Sequence, residues 1–348
     1  MLSVPDNCFY RSLQYISLSL LRLHIHVRSI LNPIRYRSKE IGFRAAIGHD
    51  GAVFGNMVTS MATTAFCYTG NEMYALDNAI NNIIAAGGKP YGVSVAILMP
   101  EHSEEATLRA IMDRIARTAE KYQIDVMAGH TELVPSVSYP TITVTAYGTV
   151  LWNNQHTKVT ENMDIVMTKW VGLYGGAILA QLKQEELATR YPLSYVKKAA
   201  GYMADTSLMP ELSVMEAAVA ENPDCILAAH DVSNGGIFGA LWQMLSACNC
   251  GARLEVQKMP VKQEIIEVSE FFDINPYMMN GQGSLLLVTK NGQELRDTFL
   301  QAGIMADVIG MTTKQKDRVV MVGEEERFLV PPKGDALNAV FYGQPIPV

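Results

Sequence analysis

The sequence has no apolar run long enough to cross a bilayer, few cysteines and few charges, and each shortage removes a class of function. A membrane-spanning helix needs roughly 20 predominantly apolar residues. The apolar stretch Ile16 to Val27 is shorter and carries Arg22, His24 and His26. A secretory leader places basic residues before its apolar stretch and a small-residue cleavage site after it, and neither is evident. Leu13, Ile16, Leu20 and Leu23 fall at helical spacing, so the expectation is a soluble amphipathic extension over 1–27 on a cytoplasmic protein with no membrane partner. The five cysteines, at 8, 67, 225, 248 and 250, include no pair of metal-binding arms. Cys248-Asn249-Cys250 is too close for a CxxC arm and has no second pair, which reads as reduced thiols. Charged residues are 18% of the chain, with 28 Lys+Arg against 35 Asp+Glu and a formal charge of -7. Nucleic-acid binding draws on a basic surface, so no nucleic-acid partner is expected. No GxxxxGK[ST] occurs and no GxGxxG follows a strand, which removes the P-loop and the dinucleotide fingerprint.

What remains is an ordinary globular chain of 348 residues, 49% hydrophobic, long enough for two domains. Met73, Leu76, Ile80, Ile83 and Ile84 mark a helix face from Glu72 to Ala86, and Gly87-Gly88 before Pro90 stops it. Val93 to Met99 suits a buried strand. Ser103 is expected to cap a helix with Leu108, Ile111, Met112, Ile115 and Ala119 inward. A short strand at Ile124 to Met127 then ends in a loop, Ala128 to Glu132, and Thr141 to Val150 alternates as a half-buried strand. The polar stretch Leu151 to Thr160 is the expected domain boundary. Beyond it, Ile165 to Lys169, Ser284 to Thr289, Ala306 to Ile309 and Val319 to Val322 read as strands. Ala177 to Arg190, Met209 to Ala220 and Ile237 to Ala247 read as helices. Helices among antiparallel-looking strands indicate an α+β fold.

Three glycine-containing loops at element ends are the candidates for chemistry: Gly48-His49-Asp50-Gly51, Ala128-Gly129-His130-Thr131-Glu132, and His230-Asp231-Val232-Ser233-Asn234-Gly235-Gly236. Glycines before a helix let the backbone approach a ligand, and the first free N–H groups then point at an anion. Taken singly, each is also an ordinary turn.

In this order, together with Asn81-Asn82-Ile83, Gly87-Gly88-Lys89-Pro90, Asp164 to Lys169 and Gly283-Ser284-Leu285-Leu286, the loops resemble a known superfamily. Its members are aminoimidazole ribonucleotide (AIR) synthase, selenophosphate synthetase, thiamine-monophosphate kinase and the hydrogenase maturation factor HypE, with HypE-like proteins most similar. The resemblance runs from about Arg28 to about Pro332. It implies a two-domain α+β fold of the AIR synthase (PurM) type: an N-terminal α+β domain (28–155) that forms a homodimer, and a C-terminal α/β domain (160–332) followed by a tail (333–348). It further implies ATP-dependent activation of a small amide- or carbonyl-type substrate by phosphorylation or dehydration, with Mg²⁺ held by aspartates. Nucleotide-binding positions carried over are Asp50, Asn81, Asn82, Gly129, His130, Thr131, Asp231, Asn234, Gly235 and Gly236.

The sequence departs from the pattern where Mg²⁺ would sit. The acidic pair after the first glycine is His49-Asp50, the Asn-Asp pair is Asn81-Asn82, and the Gly-Gly-Asp-Thr loop is Ala128-Gly129-His130-Thr131. The Thr-Asp of the next strand has no equivalent in Ser60 to Phe66. HypE proper ends in a reactive cysteine. This chain reads Tyr342 to Val348 there, so the expectation is that it does not perform that reaction on its own tail. Fewer carboxylates predict weakened Mg-ATP binding. Two alternatives follow: a non-catalytic dimeric binding protein, or a transition-metal site on His49, Asp50, His130 and Glu132, since imidazole with carboxylate suits Zn²⁺, Mn²⁺ or Fe²⁺.

Overall fold

The computed structural model describes Ile41 and residues 46–64, 70–154 and 156–343. The expected N-terminal helix, Cys8, Cys67 and the last five residues lie outside the described residues.

Strands β1 (Ala52–Phe54) and β2 (Met57–Thr63) lead to helix α1 (Asn71–Ala85), β3 (Gly88–Pro100), α2 (Glu105–Tyr122), β4 (Asp125–Val134) and β5 (Thr141–Val150). They form a five-stranded sheet in the order β1-β2-β5-β3-β4. Only β3 and β4 pair in parallel, which α2 makes possible as the crossover. Alternate residues of β3 and β5, among them Val93, Val95, Ile97, Ile142, Val144 and Ala146, are buried under α1. The opposite face carries Thr59, Met61, Thr63 and Thr143 and is uncovered among the described residues, with Met61 65% exposed.

Three local expectations are corrected. The N-cap of α2 is Glu104, with no side-chain cap bond, while Ser103 closes a turn onto the Pro100 carbonyl. The segment 128–132 is no loop: pairing with β3 continues without a break from Ala128 to Val134. The helix expected from Ala177 to Arg190 starts at Leu173 and breaks at Lys183, giving α3 (Leu173–Leu182) and α4 (Gln184–Leu187).

The second unit opens with β6 (Asp164–Thr168) ahead of α3 and α4 and continues through α5 (Leu193–Gly201), α6 (Met209–Glu221), β7 (Ala228–Val232), α7 (Gly236–Ala247), β8 (Gly251–Glu255) and α8 (Gln263–Phe271). It closes with β9 (Ser284–Thr289), α9 (Gly292–Gln301), β10 (Ala306–Thr313), β11 (Arg318–Val322), β12 (Glu325–Phe328) and α10 (Leu337–Tyr342). Its seven-stranded sheet runs β12-β11-β8-β10-β6-β9-β7. Within the expected tail, Ala336 and Leu337 are fully buried among the helices of this unit.

The two units share a core. Leu76, Ile80 and Ile83 of α1 belong to the same buried cluster as Leu208, Leu212, Leu285 and Leu287. The sheet edge β7 lies against α1. Buried apolar surface across the seam, at about 25 cal/mol per Å², fixes β7 relative to the turn that precedes β1. That placement builds the site.

Candidate functional site

The turn before β1 can reach α7 only because residue 48 is glycine. Gly48 has φ +75°, and a Cβ there would lie 2.4 Å from the Gln243 carbonyl oxygen. This close approach delivers His49 and Asp50 to the C-terminal end of β7, where His230 and Asp231 are buried. His230 Nδ1 lies 2.8 Å from the Asp231 carbonyl oxygen, 3.1 Å from Asp50 Oδ1 and 3.7 Å from Asp231 Oδ1. Its Nε2 lies 3.2 Å from Gln243 Oε1 on α7. Burial alone would depress the His230 pKa. The Asp50 charge and the hydrogen bond to Asp231 outweigh it and hold the imidazole at about 9. Burial pushes the Asp50 carboxyl up, against the pull of His230 and with Asp231 adding to the push. One imidazole thus serves two carboxylates, Asp231 buried and Asp50 nearly so. Behind them the His49 and His156 rings stack at 5.3 Å. Burial, with His49 and His230 nearby, pushes His156 down to about 3, so it is neutral.

Beside this cluster, the loop into α7 has two consecutive left-handed glycines, Gly235 at φ +83° and Gly236 at φ +64°. A side chain at Gly236 would strike the Tyr277 and Met279 carbonyls. The helix N-terminus is already served by an anion from within the chain. The Gly235 N–H donates to Asp335 Oδ2 at 2.8 Å and the Leu337 N–H to Asp335 Oδ1 at 2.9 Å. Burial pushes the Asp335 carboxyl up to about 6. A run of amides crosses the seam. Asn280 Nδ2 donates to Asn234 Oδ1 (2.8 Å) and to the Tyr74 hydroxyl (3.0 Å), Asn78 Nδ2 to Gln282 Oε1 (3.3 Å), and Asn82 Nδ2 to Asn78 Oδ1 (3.2 Å).

Of the sequence candidates, the structure brings Asp50 and Asp231 together, with Asn234, Gly235 and Gly236 adjacent and Asn82 at the end of the amide run. Asn81 plays another part: it is fully buried, its Nδ2 donating to the Thr206 carbonyl (2.9 Å) and its Oδ1 accepting from the Leu208 N–H (2.8 Å). It ties α1 to the start of α6 and has no free group for a ligand. Gly129, His130, Thr131 and Glu132 stand in exposed β4, at the opposite edge of the sheet from β1, with β2, β5 and β3 between. Among the described residues, His130 and Glu132 pair with each other, at 3.5 Å. Within one chain, the expected metal set His49, Asp50, His130 and Glu132 is therefore not assembled. His230, Gln243, His156 and Asp335 were missed as site residues. His230 carried a signal, being adjacent to Asp231, whereas Asp335 reaches the loop from about 100 residues away and carried none.

Oxygen and nitrogen atoms of Asp50, His230 and Asp231 lie within 4.8 Å of one another, an arrangement compatible by distance with a cation. The proton positions decide otherwise. A carbonyl oxygen only accepts, so His230 Nδ1 carries a hydrogen and has no lone pair for a metal. Mg²⁺ prefers several oxygens at about 2.1 Å. Here one carboxylate faces an imidazole N–H, and His49 and Asn82 stand where the resemblance places acids. The residues present do not fit Mg²⁺.

Two family models match the chain: the N-terminal domain of AIR synthase related proteins over residues 59–150 and their C-terminal domain over residues 161–323. Among curated relatives, carbamoyl dehydratase HypE of Rhodobacter capsulatus is 25% identical over 250 residues, covering 70% of this chain and 69% of its own length. The HypE of Azotobacter vinelandii is 22% identical, covering 71% of each. Among solved structures, a HypE–HypF complex superposes with TM-score 0.72 at 18% identity, over 87% of this chain and 98% of that one. HypE in complex with ATP gives 0.66 at 17% identity, over 93% and 95%. Thiamine monophosphate kinase from Aquifex aeolicus gives 0.64 at 14% identity, over 88% and 99%. At these identities the structural likenesses establish the fold.

Proposed function

The chain belongs to the AIR synthase related family, and from that premise we propose that it is an ATP-dependent enzyme that activates a small amide- or carbonyl-type substrate, in the manner of a carbamoyl dehydratase. The observation that carries the reading is the meeting of Asp50, His230 and Asp231 at the seam of the two domains, beside the Gly235-Gly236 loop. Relatives of the same fold have been solved with ATP, which supports a nucleotide at this seam. His230, both of whose N–H groups are engaged within the chain, supplies positive charge near the phosphates. Asn82 and Asn234 offer neutral amide groups that orient oxygen atoms without adding negative charge, with Asn78 holding Asn82 in place. The shared core holds both walls in place, so the groups are preorganised.

The working unit of this proposal is a homodimer. Strand β4 is a ten-residue edge with Val126, Met127 and Leu133 exposed, and it borders the uncovered sheet face that carries Met61. Long apolar edges invite pairing, and a second copy covers both features. His130 and Glu132 then belong to the interface rather than to the chain's own cleft.

A second reading, a non-catalytic dimeric binding protein, is favoured by two observations: the acids expected to hold metal are replaced, and the Gly235 N–H is engaged by Asp335. Calorimetric titration with ATP, with and without Mg²⁺, followed by a phosphate-release assay, separates the readings. The enzyme reading expects micromolar binding, weakened at least about tenfold in Asp231→Asn, a difference of about 1.4 kcal/mol, together with phosphate release. Binding without hydrolysis selects the second reading, and silence in every titration removes the nucleotide.

A further inference from the structure

We propose that His230 is a resident cation that stands between Asp50 and Asp231 in the place of a divalent ion, so that this cleft takes its ligand without metal.

Two carboxylates side by side, Asp231 buried and Asp50 with a side chain only 9% exposed, require compensation, because an unpaired buried charge costs several kcal/mol. A divalent ion is one solution, and a side-chain cation is another. Among the described residues, no lysine or arginine pairs with either Asp50 or Asp231; both ion pairs go to His230. The ring is 2% exposed and is held at both nitrogens by acceptors: the Asp231 carbonyl and Asp50 Oδ1 at Nδ1, and Gln243 Oε1 at Nε2. The Asp231 carbonyl oxygen supplies no hydrogen, so Nδ1 donates, and with the Gln243 amide turned to present Oε1 the Nε2 donates as well. An imidazole that donates at both ends is an imidazolium. For a metal to enter, Nδ1 would have to lose its proton and its 2.8 Å bond, and the ring would have to leave the space between the carboxylates. The neighbouring His156 is held neutral by burial and stacks on His49 at 5.3 Å.

The ligand clause of this inference rests on the nucleotide reading above; the metal clause does not. Three measurements on the full chain keep them apart. Long-range ¹H–¹⁵N correlation spectra of ¹⁵N-histidine-labelled protein at neutral pH, with His230→Asn to assign the signal, should show both His230 nitrogens protonated. A single protonated nitrogen overturns the inference, whatever ATP does. Mn²⁺ titration followed by electron paramagnetic resonance should leave the free-ion signal undiminished in wild type. His230→Asn, which vacates the space, should gain one bound Mn²⁺ per chain, lost again when Asp231→Asn is added. Stoichiometric Mn²⁺ binding by wild type that disappears in Asp50→Asn overturns it. Should His230→Asn fail to fold, the wild-type Mn²⁺ titration with Asp50→Asn and the wild-type spectrum still decide. For the ligand, ATP affinity should be unchanged within about twofold between chelator and excess Mg²⁺; a tenfold gain with Mg²⁺ refutes the metal-free clause. Absence of ATP binding in both conditions overturns the ligand clause and the nucleotide reading together, while the metal clause is judged on the Mn²⁺ and histidine measurements.

Discussion

Raising the pH from 6.5 to about 9 should destabilise this protein through one residue, and the amount can be worked from the site. His230 in the folded chain titrates at about 9 against 6.5 for an exposed histidine. At about 1.4 kcal/mol per pKa unit, the folded environment favours its charged form by about 3 kcal/mol. Because the folded pKa lies above the unfolded one, the contribution is fully present below pH 6.5 and is lost as the pH rises through 9. The source is local: the ring lies 3.1 Å from Asp50 and 3.7 Å from Asp231, with almost no water contact. Asp335, raised to about 6 from 3.8, has the same sign, but its contribution is lost between those values and leaves the window clean. Urea unfolding followed by tryptophan fluorescence across pH 6.5 to 9 reads the effect as a falling midpoint at constant slope. Comparison with His230→Asn subtracts the titrating groups that do not interact with His230, the cysteines included, and reads His230 together with its partner Asp50. Wild type should lose about 3 kcal/mol more than the variant over the window. Parallel profiles, or a wild-type midpoint that does not move, would refute the ion-paired imidazolium.

Three further outcomes test the structural argument. Gly48→Ala forces a left-handed residue to accept a Cβ against the Gln243 carbonyl and should cost about 2 kcal/mol or more in urea unfolding, with loss of any ATP binding; an unchanged midpoint would show that the turn does not approach α7. Asn81→Ala strands a buried carbonyl and a buried N–H at Thr206 and Leu208, and should lower stability by about 2–4 kcal/mol. A loss of ATP affinity with no loss of stability would instead make Asn81 a ligand contact. Met127→Lys with Leu133→Lys places two charges on the open strand β4 and should convert a dimer to a folded monomer in light scattering; a dimer that persists moves the interface elsewhere.

Much of the fold was legible in local pattern. The α1 face at Met73, Leu76, Ile80, Ile83 and Ile84 and the alternation of β5 carry their periods openly, and both elements formed as read. The segment 128–132 misled because a glycine beside polar residues has the composition of a turn, while its strand pairing is dictated by β3, some thirty residues earlier. The helix expected over 177–190 misled for a related reason: α3 is buried through most of its length, so amphipathic spacing could not mark its start at Leu173.

The site divided along the same line. Asp50, Asp231 and the Gly235-Gly236 loop were visible because their glycines and acids occur at element ends and in a recognisable order. Their meeting was not, since it depends on Gly48 touching α7 and on a core shared by two sheets. Chemistry that depends on residue type, such as the scarcity of acids where Mg²⁺ would sit, is written in the chain and needs no coordinates. Chemistry that depends on distance and burial is not: the charge on His230 comes from two carboxylates, one 180 residues away in sequence, at separations where desolvated charges act strongly on one another. Sequence determined which groups were available, and only the tertiary structure decided that an imidazole would stand between them.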